Sequence, residues 1–235
     1  KIPVEALEDL YEGMAFACKE LGVDLVGGDT SASMTGLVIN ITAIGRAKRK
    51  AIAYRGGAQF NDLICITGNL GAAYMGLQLL EREKRVLSNV ENPEPQFKGY
   101  EYLLQSYLKP RARKDIIDLL AEEKIVPTSM IDISDGLASE VLQICKASKC
   151  GARIYLDRIP IAKQTTQLAE EMHIDPVVAA LNGGEDYELM FTVPLAMQEQ
   201  VMRLGVGHIT RESTGAYLVT PDGSDIKLRA QGFKE

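Results

Sequence analysis

Residues 130–148 have the sequence MIDISDGLASEVLQICKAS, in which a strand pattern is followed by a helix pattern. The mostly apolar run 130–133 predicts a short strand, and from Leu137 to Ser148 apolar residues recur at the spacing of a helix. Ser134-Asp135-Gly136 forms a turn between them. A strand that leads through a turn into a helix is typical of proteins that mix both elements, so this stretch predicts an α/β or α+β fold.

The same mixture of elements continues along the chain on both sides of this stretch. Helical spacing predicts helices at about 4–21, 72–83, 100–108, 113–123 and 195–204, and on either side of residues 175–176. Apolar runs predict strands at 23–26, 37–45, 63–67, 152–156 and 187–193, and two more around the turn at 221–223. Because 37–45 is apolar at both alternating positions, we expect that strand to be buried on two faces. The polar segment 88–99 predicts a mobile loop.

Length and composition limit the class of protein. The chain has 235 residues, 46% of them apolar and 25% charged, which is typical of a globular protein of one or two domains. The net charge of −6 argues against binding nucleic acid through bulk charge, although it leaves phosphate binding open. No apolar run reaches the roughly 18 to 20 residues that a membrane span needs. We therefore expect no nucleic-acid and no membrane partner.

The four cysteines indicate a reducing compartment. They are Cys18, Cys65, Cys145 and Cys150, and none forms a Cys-x-x-Cys pair. This spacing supports neither a zinc site nor a disulfide framework. We expect buried, reduced thiols in a cytoplasmic protein.

Three apolar strands are predicted to end in glycine and carboxylate residues, at 26–30, 131–136 and 181–186. Glycines let a backbone approach a ligand closely, and carboxylate oxygens suit Mg²⁺, which favours one or two protein carboxylates together with substrate phosphates. The recurrence of this chemistry predicts a divalent-metal and phosphate site. Each segment also has a simpler interpretation: a Gly-Gly-Asp turn for the first, and a helix N-cap at Ser134 or Asp135 for the second.

Two further features leave similar alternatives open. Arg55, next to two glycines, is either a phosphate ligand or a surface residue, and the turn at 68–71 either faces an anion or packs tightly.

Several enzyme classes are excluded. The sequence has no P-loop, no protein-kinase catalytic loop and no dinucleotide fingerprint. With only two histidines, it has little material for a histidine-based triad or a zinc hydrolase.

Taken together and in chain order, four motifs resemble the thiamine-monophosphate kinase family of the aminoimidazole-ribonucleotide-synthetase-like ATP-binding superfamily. They are LVGGDT at 25–30, YRGGA at 54–58 with Asp62 and ITG at 66–68, IDISDGL at 131–137, and GGEDYEL at 183–189. The last two favour this family over its relatives. The resemblance implies direct, in-line transfer of the γ-phosphoryl group of ATP to thiamine phosphate, assisted by Mg²⁺, giving thiamine diphosphate.

The resemblance also implies roles for individual positions. Those assigned to Mg²⁺ are Asp29, Asp132 and Asp135. Those assigned to ATP are Gly28, Asp29, Arg55 and Ser134. Those assigned to thiamine phosphate are Glu185 and the C-terminal aromatic residue Phe233. No residue is assigned an acid–base or covalent role, since phosphoryl transfer depends mainly on charge neutralisation and alignment.

The resemblance implies a homodimer and two domains. Family members carry a further N-terminal stretch, so residues 1–55 correspond to the second half of an ATP-binding, dimer-forming domain and residues 56–235 to the C-terminal α/β domain. Two alternatives remain at this stage. One is another enzyme of the superfamily, aminoimidazole-ribonucleotide synthetase or selenophosphate synthetase. The other is a non-catalytic ATP-binding dimerisation module.

Overall fold

The structure, a computed structural model, describes residues 2–34, 36–90, 94–201 and 203–230. It divides into two units, Lys1–Ala47 and Lys48–Glu235. No helix within these described ranges is long and apolar enough to cross a membrane.

The described residues of the first unit form one helix, α1, over Val4–Leu21, as its apolar spacing predicted. The helix ends at Gly22, whose φ of 68° is the left-handed conformation that glycine adopts at little cost. The strands predicted at 23–26 and 37–45 are wrong. Neither is a strand, and side chains of the second such as Val38 and Ile41 are 73% and 76% exposed. Their apolar residues suit a buried strand, but a strand also needs a hydrogen-bonded neighbour, and none is assigned among the described residues of this unit.

The second unit is built on one mixed sheet. Its strands are β1 Leu63–Ile66, β2 Ser129–Ile133, β3 Cys150–Tyr155, β4 Glu188–Val193, β5 Gly205–Arg211, β6 Ala216–Val219 and β7 Asp225–Lys227. They lie in the order β2-β4-β1-β5-β3-β6-β7. Among the described strands, only the β3–β6 pairing is parallel. The predicted class of mixed helices and strands is confirmed, and the antiparallel pairing makes it an α+β arrangement.

Strand β5 was not predicted, although it lies near the centre of the sheet. Its sequence contains Gly205 and Gly207, and glycine weakens the strand pattern. The structure explains one of them: a Cβ atom at Gly207 would lie 2.1 Å from the carbonyl oxygen of Arg153 on β3. The predicted helix 195–204 is correspondingly too long, because only a short 3₁₀ turn, Leu195–Met197, and one helical turn precede β5.

Helices cover both faces of the sheet. They are α2 Ala72–Leu87, α3 Glu101–Leu108, α4 Lys114–Glu122, α5 Leu137–Ser148, α6 Lys163–Glu171, α7 Pro176–Asn182 and α8 Gln198–Val201. On one face, α5 packs Leu137, Val141 and Ile144 against the sheet. On the other face, Leu120 of α4 and Val201 of α8 cover Phe191. A third cluster joins α2, α3, α6 and α7.

Candidate active site

Three strand ends meet at one edge of the sheet. Strand β4 lies between β2 and β1 and is antiparallel to both, with Glu188 opposite Ile133 and Met190 opposite Ile66. The start of β4 therefore adjoins the ends of β2 and β1. We call this the site edge: the turn 134–136 after β2, the loop 183–187 before β4, and residues 67–69 after β1.

Backbone hydrogen bonds join the two carboxylate motifs at the site edge. The Glu185 N–H donates to the Ser134 carbonyl oxygen at 2.8 Å, and the Tyr187 N–H donates to the Ile133 carbonyl oxygen at 2.9 Å. Asp132, Asp135 and Glu185 are all exposed there. Residues about fifty positions apart in the sequence thus present three carboxylates on one surface.

The loop 183–187 has an unusual backbone. Gly184, Glu185 and Tyr187 have φ values of 71°, 62° and 52°, and positive φ is uncommon for residues other than glycine. The side chains of Glu185 and Tyr187 are exposed, and the Tyr187 hydroxyl donates to Glu185 Oε2 at 3.1 Å. The pKa of Tyr187 is raised, mainly by this hydrogen bond, with smaller effects from burial and from the charges of Glu185, Asp132 and Asp135. The negative charges of all three carboxylates therefore act on the Tyr187 hydroxyl.

Asp186 of this loop and Glu188, the first residue of β4, are half-buried and anchor the loop. Asp186 accepts hydrogen bonds from the N–H groups of Gly71, at 2.8 Å, and Ala73, at 3.2 Å, at the start of α2. Glu188 accepts a hydrogen bond from Thr67 Oγ1 at 2.5 Å and forms an ion pair with Arg113. Strained backbone that is held by several partners is common at functional sites, and these anchors hold Glu185 at the surface.

Asp186 should make stability depend on pH. Burial raises the pKa of this carboxyl from its ordinary 3.8 to about 6. Because the folded-state pKa lies above the unfolded-state pKa, its stabilising effect is complete below about pH 4 and is lost as pH rises through about 6. We expect Asp186→Asn, which replaces one of the two acceptor oxygens by an NH₂ group facing an N–H donor, to lower the melting temperature at every pH. The difference from the wild type should shrink between pH 4 and 6 and then stay constant. Melting curves from pH 4 to 8 test this, and a difference that grows with pH would contradict it.

Glu140 lies beneath the turn 134–136 at the site edge. It is only 2% exposed, and its Oε1 accepts a hydrogen bond from the Asp135 N–H at 3.2 Å. Its Oε2 is buried and has no hydrogen-bond partner among the described residues. Burial, together with smaller effects from the charges of Asp135 and Asp132, raises the pKa of Glu140 to about 7. These two exposed carboxylates therefore lie close to a third that is buried.

The alternative role of Ser134 and Asp135 as helix caps is wrong. Gly136 occupies the N-cap position of α5, and no side chain caps this end of the helix. A Cβ atom at Gly136, whose φ is 103°, would lie 2.6 Å from the carbonyl oxygen of Leu181, so the turn can come this close to α7 only with glycine. The exposed Asp135 side chain is left available for a ligand.

The donor set at the site edge suits Mg²⁺ bound together with phosphate. Within the described ranges, no group of three or more His, Cys, Asp or Glu side chains could hold a metal ion alone. Mg²⁺ does not require one, because it binds one or two protein carboxylates and takes its other ligands from phosphates and water. Exposed Asp132 and Asp135, with the buried Glu140 joined to the Asp135 backbone and leaving one oxygen without a partner among the described residues, fit such a cation.

The other predicted site residues belong to other segments of the chain or lie outside the described residues. Arg55 is exposed beside the beginning of β2, where the Met130 N–H donates to the Tyr54 carbonyl oxygen at 2.9 Å. Gly28 and Asp29 belong to the first unit, in an exposed segment without helix or strand. Phe233 lies outside the described residues. The ligand roles of these four residues stay predictions.

The sequence interpretation missed the residues that support the site, namely Asp186, Glu188, Arg113 and Glu140. One signal was present. In Glu185-Asp186-Tyr187-Glu188 a polar residue occupies every position, and in an extended segment two of the four must face inward. Buried carboxylates need partners, so this run indicated a supporting network.

Known proteins match both units of this chain. The family model described as AIR synthase related protein, N-terminal domain, matches residues 1–47, and the corresponding C-terminal domain model matches residues 62–222. The thiamine-monophosphate kinase of Buchnera aphidicola subsp. Schizaphis graminum is 38% identical, over 90% of this chain and 63% of its own length. That of Escherichia coli K12 is 34% identical, over 97% of this chain and 68% of its own length.

A solved structure described as AaThiL complexed with AMPPCP and TMP superposes with a TM-score of 0.72 at 26% identity, over 96% of this chain and 67% of that one. The chain spans less than two thirds of the Buchnera relative. The C-terminal family model covers more than half of the chain, and the E. coli enzyme is more than 30% identical to the chain, which covers over two thirds of that enzyme. The chain therefore belongs to the AIR synthase related protein family, with the thiamine-monophosphate kinases.

Proposed function

We propose that this protein transfers the γ-phosphoryl group of ATP to thiamine phosphate and so forms thiamine diphosphate. The observation that carries the proposal is the meeting of Asp132, Asp135 and Glu185 at one sheet edge, joined by the Glu185–Ser134 backbone hydrogen bond of 2.8 Å. Family membership supports it over the other superfamily enzymes, because the relatives named above are thiamine-monophosphate kinases and the solved neighbour binds AMPPCP, an ATP analogue, and TMP.

The carboxylates have the same sign of charge as phosphates, so the proposed site includes Mg²⁺. Asp132 and Asp135 are the residues of this unit that would hold it, and Asp29 of the first unit is assigned the same role by the family resemblance. When bound, Mg²⁺ neutralises the charge of the phosphate oxygens and orients them. The two aspartates then serve as fixed anionic positions that align the triphosphate for in-line transfer.

In this proposal Ser134 contacts ATP and Glu185 contacts thiamine phosphate. Ser134 is half-buried at the end of β2, where its side chain can contact the nucleotide, with Gly28 and Arg55 as the other predicted ATP contacts. Glu185 is exposed on the loop, and its negative charge suits the cationic thiazolium ring of thiamine phosphate. Phe233 is the predicted aromatic contact to that ring.

Assembly and location form a separate part of the proposal. We propose a homodimer, on the basis of the family resemblance, and a cytoplasmic location. The location is supported by the cysteines, since Cys18, Cys65, Cys145 and Cys150 are all free thiols, as expected in a reducing compartment.

The activity is tested by incubating the intact protein with ATP, Mg²⁺ and thiamine phosphate and separating the products. We expect equal amounts of ADP and thiamine diphosphate, and none without Mg²⁺. ATP consumption only with an aminoimidazole-ribonucleotide precursor or with selenide, and not with thiamine phosphate, would indicate another enzyme of the superfamily. Binding of ATP without turnover of any acceptor would indicate a non-catalytic module.

A further inference from the structure

Glu140 occupies a position where a carboxylate is energetically unfavourable. It lies in the first turn of α5, 2% exposed, with Oε2 buried and without a partner among the described residues. Asp132 and Asp135 are close enough to repel its charge. Burying an unpaired carboxylate oxygen near like charges destabilises a fold, and glutamine has almost the same shape without the charge. A carboxylate here therefore indicates a function.

The contact that Glu140 does make points to the nature of that function. Its Oε1 accepts a hydrogen bond from the backbone N–H of Asp135, which fixes the turn that presents Asp135. The second oxygen of the same carboxylate is buried and has no hydrogen-bond partner among the described residues, and the charges of Asp132 and Asp135 act on this carboxylate. A cation or a cation-bound water would supply the missing donor or positive charge, because ligands of a metal site are regularly held by a further layer of hydrogen-bonding groups.

We propose that Glu140 is a positioning residue of the metal–phosphate site: one oxygen holds the Asp135 backbone, and the other accepts a hydrogen bond from a water on the cation held by Asp132 and Asp135. This inference rests on the proposed function and deepens it. Glu140 touches neither substrate in this arrangement and acts through the turn and the hydration of the ion.

Binding of Mn²⁺, a spectroscopic substitute for Mg²⁺, tests the role of Glu140 separately from activity. The intact protein is titrated with Mn²⁺ in the presence of AMPPCP, and binding is followed by electron paramagnetic resonance. Glu140→Gln should weaken Mn²⁺ binding by about tenfold or more. Its melting temperature without metal should be equal to or above that of the wild type, since the substitution removes the like-charge repulsion. The Mg²⁺ concentration needed for half-maximal activity should rise in parallel.

A matched control and two contrary outcomes complete the test. Glu83→Gln replaces another buried glutamate, 8% exposed on α2 and paired with Arg82, and should leave Mn²⁺ affinity unchanged. If Glu140→Gln binds Mn²⁺ as tightly as the wild type, the role of Glu140 is overturned while the proposed function stands. If the wild type itself binds no Mn²⁺ with AMPPCP, both the proposed function and this inference are overturned.

Discussion

Asp132→Asn should lower the rate of thiamine diphosphate formation by about 100- to 1,000-fold without lowering the melting temperature, because the charge that it removes is favourable only when the cation and phosphates are bound. The Asp132 side chain is exposed, and the described residues show no hydrogen bond or ion pair to it. Its backbone pairs with Leu189 on β4, and asparagine preserves that pairing. Steady-state rates at saturating ATP and Mg²⁺, with a melting curve on the same sample, measure both effects.

The control for this substitution removes one negative charge elsewhere. Glu199 is exposed on α8, which follows the other end of β4. Glu199→Gln should change the rate by less than about twofold, because an exposed charge at that separation is screened by salt. A rate for Asp132→Asn within a few fold of the wild type would remove Asp132 from the site. A large loss of melting temperature would instead assign it a structural role.

Gly184→Ala should destabilise the protein by about 2 kcal/mol or more and also impair binding of thiamine phosphate. Gly184 has a φ of 71°, and an added Cβ would lie 2.5 Å from the Ser134 carbonyl oxygen, which accepts the hydrogen bond from Glu185. Relief of this contact must move the loop away from β2 and carry Glu185 with it. We expect a lower melting temperature and a KM that rises more for thiamine phosphate than for ATP.

Gly223→Ala separates the two causes of this effect. Gly223 has a φ of 84°, similar to that of Gly184, but no atom lies within 4 Å of an added Cβ. Its substitution therefore reports the backbone strain of a left-handed residue without the steric contact. Gly223→Ala should cost less stability and leave both KM values unchanged. Equal losses of stability in the two variants, with no change in KM for Gly184→Ala, would show that the contact with Ser134 does not position Glu185.

The elements that could be predicted from the sequence are those whose signals are local. The strand, turn and helix from Ser129 to Ser148 follow from residue spacing and a glycine-containing turn, and α1 ends at Gly22 as expected. The carboxylates of the site edge were also recognised, because they follow apolar runs, although residues 181–182 end helix α7 and not the predicted strand. Their recurrence in the sequence indicated a shared chemistry, and the structure places the turn of Asp135 beside Glu185.

The features that could not be predicted depend on tertiary partners. Strand β5 contains two glycines, and only the approach of the Arg153 carbonyl oxygen explains why Gly207 is needed. The apolar run 37–45 has the composition of a buried strand, but composition does not specify a pairing partner. Glu140 and Asp186 resemble ordinary surface carboxylates in the sequence. Their shifted pKa values arise from burial, which the packing of α5 and α2 determines.

The most direct test of the account is a crystal structure of the intact protein with AMPPCP, thiamine phosphate and Mg²⁺. We expect the nucleotide phosphates at the site edge, joined to the protein through Mg²⁺ with a carboxylate oxygen of Asp132 or Asp135 at about 2.0–2.1 Å from the ion. Glu185 should contact the thiamine moiety of the acceptor. A nucleotide bound at another part of the fold, with no ion near Asp132 or Asp135, would contradict the proposal that these strand ends form the phosphoryl-transfer site.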